Sequence, residues 1–483
     1  MEMGVGLVFL SGFEPALDLC AGLLDVLEVE PQTFWFNGAA STDPPQVDQR
    51  HLRYLASLPF PKLVHGVGFP IGSTRPPDPR QLPALKETLR ALQPPWFSEH
   101  LSFNRARHNG VEIQTGFLLP PRQTAAGIEA AIHSVRALQS ELSIPFLIET
   151  GVNYLRPLPE EVPDGEFVAR VVEGSGCGIL LDLHNLWANE RNGRQSIADF
   201  LDSIPLERVR ELHLAGGHEH GGLWLDAHSG AMPEGLFELA QSVVRRLPNL
   251  GAVIFELFPG HLLEVGHEVF LQQLQLLRRI WDARGSEYRR QPRPEWKPAV
   301  PGESAPPEEW ENTLGAMVLG RPASGELAAR LSGDPGIPVM QHLIREFRGS
   351  VLFRTLKFTC RLLLLHLGDE KFIGLLHRYW KESAPQLFGS EEAFHFGEFL
   401  RCESWDIHGL DQVLDFELAT IRTLLDGETR VVRFPFDPLP VLRALGESRM
   451  PGYWIDREVD LEITPDPPVE ERPEAAYALQ FVH

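Results

Sequence analysis

Histidine, aspartate and glutamate recur in this chain at the ends of short apolar runs, a placement that suits metal ligation more than packing. His65 stands in LVHGVGFPIG, His100 in FSEHLSF and Glu149 in FLIETGVNYL. Asp182 closes the apolar run of LLDLHNLWAN, with His184 and Asn185 just beyond it. His213 lies in ELHLAGGHEH, Asp226 and His228 in LDAHSG, and Glu256 in VIFELFPG. Any one of these alone reads as a hydrogen-bonded core residue, because a buried polar group needs only a partner. The set reads differently. His, Asp and Glu are costly to bury unpaired, and a crowd of them is relieved by divalent or trivalent cations. Mixed imidazole and carboxylate donors suit iron, manganese and zinc. Their number exceeds the four ligands of one tetrahedral zinc site, so two or three ions are expected, with a carboxylate such as Glu149 able to bridge neighbours. Cys20, Cys177, Cys360 and Cys402 are far apart with no CxxC, which argues against a thiolate site or a disulfide framework.

The elements that must carry these residues alternate. Strand-like runs fall at 6–10, 26–30, 63–67, 96–101, 146–150, 178–182, 210–214 and 253–257. Amphipathic helical patterns lie between them, for example at 125–142, 166–174 and 233–247. Eight such units over about 250 residues make one (β/α)8 TIM-type barrel, an α/β fold whose active sites sit at the C-terminal strand ends. The metal-type residues fall at those ends. We therefore read 1–284 as the barrel and 285–309 as a Pro-rich linker. Residues 310–483 read as a mainly α-helical domain ending in a few strands. Its helical patterns cover 311–318, 339–347, 351–367, 371–381, 393–401 and 413–425, and its strand-like runs 429–434 and 459–463.

A formal net charge of −22 argues against a nucleic-acid partner, whose phosphates are bound by Lys and Arg. No apolar run reaches the length of a membrane span, and the opening residues lack the pattern of a signal peptide, so a cytoplasmic location is expected.

Taken in order, HGVGFPIGS, SEHLSF, IET, LLDLHN, HLAGGH, LDAHSG and FEL make the chain resemble the multinuclear non-heme iron-dependent oxidative enzymes, methanobactin oxazolone synthase-like proteins among them, over roughly residues 4–283. The resemblance implies two or three irons of mixed Fe(II)/Fe(III) state in the barrel mouth. It implies O2 as co-substrate and oxidation of a residue, often a cysteine, of a ribosomally made precursor peptide. Carried over by position, His65 and His100 would bind one iron, with Glu149 bridging to a second that Asp182, His213 and Glu256 complete. Asp226 and His228 would bind a third, together with either His184 or Asn185. His218 and His220 are candidates for acid–base groups or extra ligands, with His218, in the matched HLAGGH, preferred. Asn153 is a candidate for an outer hydrogen-bonding role, with Asn189 and Ser102. Segment 361–425 resembles the helical partner proteins that bind the leader part of such peptides. That implies a fusion needing no separate partner protein, with Trp380, Phe394, Phe396, Phe399 and Trp405 as candidates to line a peptide groove or else core residues; the alternative is an ordinary helical accessory or dimerisation domain. The rival on the same barrel is a metal-dependent hydrolase or isomerase, which would work anaerobically with manganese or zinc.

Overall fold

The structure, a computed structural model, describes residues 1–20, 22–38, 44–285, 287–288 and 305–465. Eight parallel strands close a barrel in chain order: β1 (Gly4–Val8), β2 (Val26–Val29), β3 (Lys62–Gly66), β4 (Phe97–His100), β5 (Phe146–Glu149), β6 (Gly178–Asp182), β7 (Val209–Ala215) and β8 (Ala252–Glu256). β8 pairs back onto β1. These are the eight runs expected from the sequence, with ends moved by a residue or two. Strands β1, β2, β5 and β8 are buried along their whole length, as near-continuous apolar runs are when helices cover a parallel sheet.

Register decides which side chains meet. Asp182 lies beside His213, His100 beside Glu149 and His65 beside Ser98. Inward side chains of such a barrel stack in layers drawn from alternate strands, with a stagger of about one residue per strand. Followed around the barrel, that stagger puts His100, Asp182 and Glu256 in the layer at the mouth. His65, Glu149 and His213 form the layer beneath, and Glu28, Ser98, Leu180 and Ile254 the layer below that.

The chain divides into two compact units, one of Met1–Pro31 with Arg53–Leu343 and one of Gln32–Leu52 with Ile344–His483. This differs from the division read at 285–309, a stretch that lies mostly outside the described residues. Helix Pro307–Val318 is fastened to the loop after β3 through Glu311. That buried carboxylate accepts from the Thr74 backbone N (2.5 Å), Thr74 Oγ1 (2.7 Å) and Ser73 Oγ (3.1 Å), and also pairs with Arg75. Trp310 on the same helix donates its indole N–H to the Pro120 carbonyl at 2.9 Å.

The second unit contains helices Lys357–Leu367, Asp369–Glu382, Gly389–Arg401, Leu410–Asp426 and Pro438–Gly446, and two antiparallel strands, Arg430–Phe434 and Val459–Ile463. Segment 32–52 joins this unit, which the sequence does not announce. Ser390 Oγ accepts from the Asn37 backbone N at 2.9 Å and donates to its carbonyl at 2.8 Å. Phe394 and Phe396 are buried in the unit's apolar core, the alternative to a groove lining. Trp380, Phe399 and Trp405 are only partly buried against that core. No helix among the described residues is long and apolar enough to cross a membrane.

Replacing Glu311 by Ala leaves the Thr74 N–H without its acceptor in a buried setting and takes from Arg75 one carboxylate partner, while its bond to Asn312 remains. The Glu311→Ala variant should lose about 3 kcal/mol of stability. Urea unfolding read by fluorescence checks this, and an unchanged midpoint would contradict it.

Candidate metal centre

The C-terminal end of the barrel gathers side chains from most of its strands. Its first group is His65, His100 and Glu149. The His65 ring leans on the Ser98 hydroxyl through Nδ1 (2.9 Å), which turns Nε2 toward Glu149 Oε2 at 3.0 Å. His100 donates from Nδ1 to the Gly66 carbonyl (3.1 Å), so in the neutral ring Nε2 carries the lone pair, 2.8 Å from the same Glu149 oxygen. The two rings stand 4.5 Å apart, centre to centre. A hydrogen bond from one ring nitrogen fixes the tautomer of the other, the arrangement usual for ligating imidazoles.

His213 stands at the middle of the cluster. Its Nδ1 is 3.2 Å from Glu256 Oε1 and its Nε2 is 3.0 Å from Glu28 Oε1. Glu256 offers its other oxygen to His228 Nε2 at 3.2 Å, and Asp226 Oδ1 lies 3.0 Å from that nitrogen. His228 holds a backbone φ of +44°, a region few side chains occupy, and its carbonyl accepts from the Phe258 N–H at 3.0 Å. Strain of this kind persists only where its surroundings enforce it.

Many of these atoms lack a hydrogen-bond partner among the described residues. They include His65 Nε2, Glu149 Oε2, Asp182 Oδ2, Asn185 Oδ1, both nitrogens of His213, His228 Nε2, Glu256 Oε2 and both oxygens of Glu28. All are buried, and several face one another at 2.8 to 3.2 Å without the geometry of a hydrogen bond. Two donors about 2.1 Å from one ion and at right angles stand about 3 Å apart. In three groups, one donor atom per residue lies within 4.8 Å of the others: His65, His100 and Glu149; Glu149, Asp182 and His213; and Glu28, His213 and Glu256. The donor set therefore fits cations.

Electrostatics agrees. Burial pushes the Asp182 carboxyl well above its usual range, and the neighbouring Glu256, Asp226 and Glu149 push it further. Burial would likewise raise Glu149, but His100 and His65 outweigh it and hold it well below. Burial lowers an imidazole, yet Glu149 lifts His100 well above its ordinary value, and Glu28 and Glu256 do the same for His213. Against the same opposition Asp226 and Glu256 push His228 up to about 10.

His184 and Asn185 divide their tasks. His184 accepts from the Trp224 indole N–H at Nε2 (3.1 Å) and pairs with Asp226 Oδ1 through Nδ1 (3.1 Å), so both ring nitrogens are engaged. Asn185 directs its amide NH2 to the Thr150 carbonyl (3.1 Å), leaving Oδ1 buried and without a partner. The Asp182 side chain caps helix Leu183–Arg191 through the Asn185 N–H (2.8 Å), leaving Oδ2 for the centre.

Two further expected residues are placed elsewhere. Asn153 is buried but engaged in its loop: its N–H donates to Asn189 Oδ1 (2.8 Å) and its Oδ1 accepts from Leu155 N (3.1 Å). His218 is exposed on the hairpin strand His218–His220, its Nδ1 3.2 Å from Ser229 Oγ, outside the buried cluster. The glycines before it have a steric reason. A Cβ on Gly217 would come within 2.7 Å of His184 Nε2, and one on Gly216 within 2.5 Å of the Gly230 carbonyl.

The sequence reading missed Glu28, Glu211 and Glu30. Glu28 and Glu30 form an i, i+2 acidic pair in VLEVE, facing the barrel interior from an otherwise apolar strand, and that alternation is the signal that could have found them. Glu30, partly exposed, has its carboxyl raised by burial, with His65, Glu256, His228 and His100 as its charged neighbours. Glu211 is wholly buried, two residues before His213.

Fold and site together define a (β/α)8 barrel whose mouth carries His and carboxylate groups compatible with metal binding. The sequence model of the RiPP precursor modification enzymes MbnB/TglH/ChrH matches residues 14–257, just over half of the chain, and the chain belongs to that family. Among curated proteins it is 34% identical over 188 residues to a UPF0276 protein of Chromobacterium violaceum, covering 39% of this chain and 67% of that one. It is 30% identical over 230 residues to one of Anaeromyxobacter sp., covering 47% and 80%. A third, from Streptomyces avermitilis, is 28% identical over 235 residues, 48% of each chain. Among solved structures, a D-allulose 3-epimerase from Methylomonas sp. aligns at 14% identity and a TM-score of 0.37, over 59% of this chain and 92% of that one.

Metal ions and protons compete for the same ring nitrogens. With the neighbouring carboxylates raising these imidazoles above the ordinary 6.5, protons that they hold must leave when a cation binds. Apparent Fe(II) affinity should therefore rise about tenfold or more from pH 6 to pH 8. Anaerobic titration at several pH values checks this; a flat profile would contradict it.

Proposed function

We propose that the chain uses two or three iron ions, in a mixed Fe(II)/Fe(III) state, and O2 to oxidise a side chain, a cysteine or another near the cluster, of a ribosomally made precursor peptide. The observation that carries the reading is the convergence of buried nitrogen and oxygen atoms that have no hydrogen-bond partner among the described residues. Family membership supports peptide modification as the task.

His65 and His100 would hold a first ion through Nε2, with Glu149 shared between it and a second. Asp182, His213 and Glu256 would complete the second. Asp226, His228 and Glu256 would hold a third together with Asn185 Oδ1, which is open where the ring nitrogens of His184 are engaged. Bound there, iron supplies one-electron redox chemistry and activation of O2. The chain's own share is to hold these donors together at the barrel mouth, with the Ser98 hydroxyl orienting the His65 ring and the Gly66 carbonyl fixing the tautomer of His100. Tyr154, whose hydroxyl accepts from the Asp226 N–H at 3.1 Å, sets the backbone of the third site. We place recognition of the peptide's leader part in the second unit, on the resemblance of segment 361–425, which would make a separate partner protein unnecessary.

Protein purified without oxygen should contain two or three irons per chain, and Glu149→Ala should reduce this to about one or none, because its carboxylate serves two sites. Elemental analysis with Mössbauer spectroscopy reads both. The iron-loaded protein should also take up O2 in the presence of a cysteine-bearing substrate peptide and change that peptide's mass. Turnover without oxygen on manganese or zinc alone would overturn the oxidase in favour of a hydrolase or isomerase.

Asn185 and His184 give a second contrast. Asn185→Leu should abolish one ion, whereas His184→Phe should weaken binding by about 10- to 100-fold without removing a ligand. Equal loss in both would contradict the division.

A further inference from the structure

Beneath the centre, one group of side chains has no place in the ligand set. Glu28 is fully buried, and neither of its oxygens has a hydrogen-bond partner among the described residues. Its Oε1 is 3.0 Å from His213 Nε2, and Glu211 Oε1 is 3.8 Å from the same nitrogen. The other Glu211 oxygen accepts the Trp96 indole N–H at 2.8 Å, which anchors this carboxylate from the N-terminal side of β4. Two acidic groups this deep are expensive to keep, and packing alone gives no reason for them.

An imidazole binds one ion through one nitrogen, and the two nitrogens of His213 face different partners. Nδ1 faces Glu256, in the layer at the mouth. Nε2 faces Glu28, in the layer below His213, and Glu211, which lies lower still on β7. The remaining donors, Asp182 and Glu149, lie at or above the level of His213. An ion held with Glu256, Asp182 and Glu149 therefore takes Nδ1, and the N–H belongs on Nε2.

We propose that Glu28 is a positioning residue whose carboxylate, 3.0 Å from His213 Nε2, draws the ring's proton to that nitrogen and so leaves the Nδ1 lone pair for the ion in the barrel mouth, with Glu211, held by Trp96, behind it. This rests on the metal-centre reading above. A carboxylate behind a ligating imidazole fixes ring orientation and raises its basicity. Glu28 is then not a ligand, although with His213 and Glu256 it forms a group compact enough for an ion.

The test compares wild type with Glu28→Leu, Glu28→Gln and Trp96→Phe, each purified anaerobically and titrated with Fe(II). Glu28→Leu should bind one ion about 10- to 100-fold more weakly, leave the others in place and alter one Mössbauer quadrupole doublet. Glu28→Gln keeps an acceptor oxygen and should restore binding and spectrum. Trp96→Phe removes only the anchoring N–H and should shift the same doublet to a smaller degree, and it decides the matter should Glu28→Leu not fold. A Gln that fails to rescue would make Glu28 a ligand and overturn the inference, as would a Leu variant or, where it decides, a Phe variant indistinguishable from wild type. Failure of the wild type itself to bind iron would overturn the proposed function and this inference with it.

Discussion

Buried oxygen and nitrogen atoms that face one another without hydrogen-bond geometry are the constraint on which this barrel is built. Glu149 Oε2 has two imidazole nitrogens within 3.0 Å, and Glu256 has one at each oxygen. In water these groups would each be solvated; in the barrel mouth, desolvation and like-charge repulsion add up. Cations are the simplest remedy, and without them the imidazoles take up protons in their place.

Much of the surrounding structure follows from holding that crowd in place. Ser98, the Gly66 carbonyl and Trp224 each occupy one nitrogen of a histidine and leave or fix the other. Asp182 faces two ways, one oxygen capping a helix and the other left for the centre. The glycine pair of HLAGGH lets the loop carrying Asp226 and His228 pass close enough for His228 to reach Glu256. Glu99, buried behind the mouth, holds the turn after β3 by accepting from the N–H groups of Gly68 and Phe69.

Membership of a family of peptide-modifying enzymes gives this centre a class of substrate. The family match ends at residue 257, while the compact unit that contains the barrel runs on to Leu343. Glu311 and Trp310 show why: they bury polar and aromatic groups against the loop after β3 and the Pro120 carbonyl. Composition could not reveal this, because an amphipathic helix reads alike whichever surface receives it.

The strands, their order and the residues at their ends were legible in the sequence. Apolar runs buried on both sides are a local property, and a (β/α)8 chain has few ways to arrange eight of them. Most of the residues that cluster at the mouth were legible too, since His65, Glu149 and Asp182 stand out against apolar neighbours. Only the folded chain shows how the partners of His184 and Asn185 differ, adjacent residues that pattern cannot separate. It also assigned Asn153 to a loop and His218 to an exposed hairpin, and it brought Glu28 and Glu211 beneath His213 from strands far apart in the chain. Those outcomes depend on register and on which atoms remain unpaired after folding, and neither quantity exists until the barrel closes.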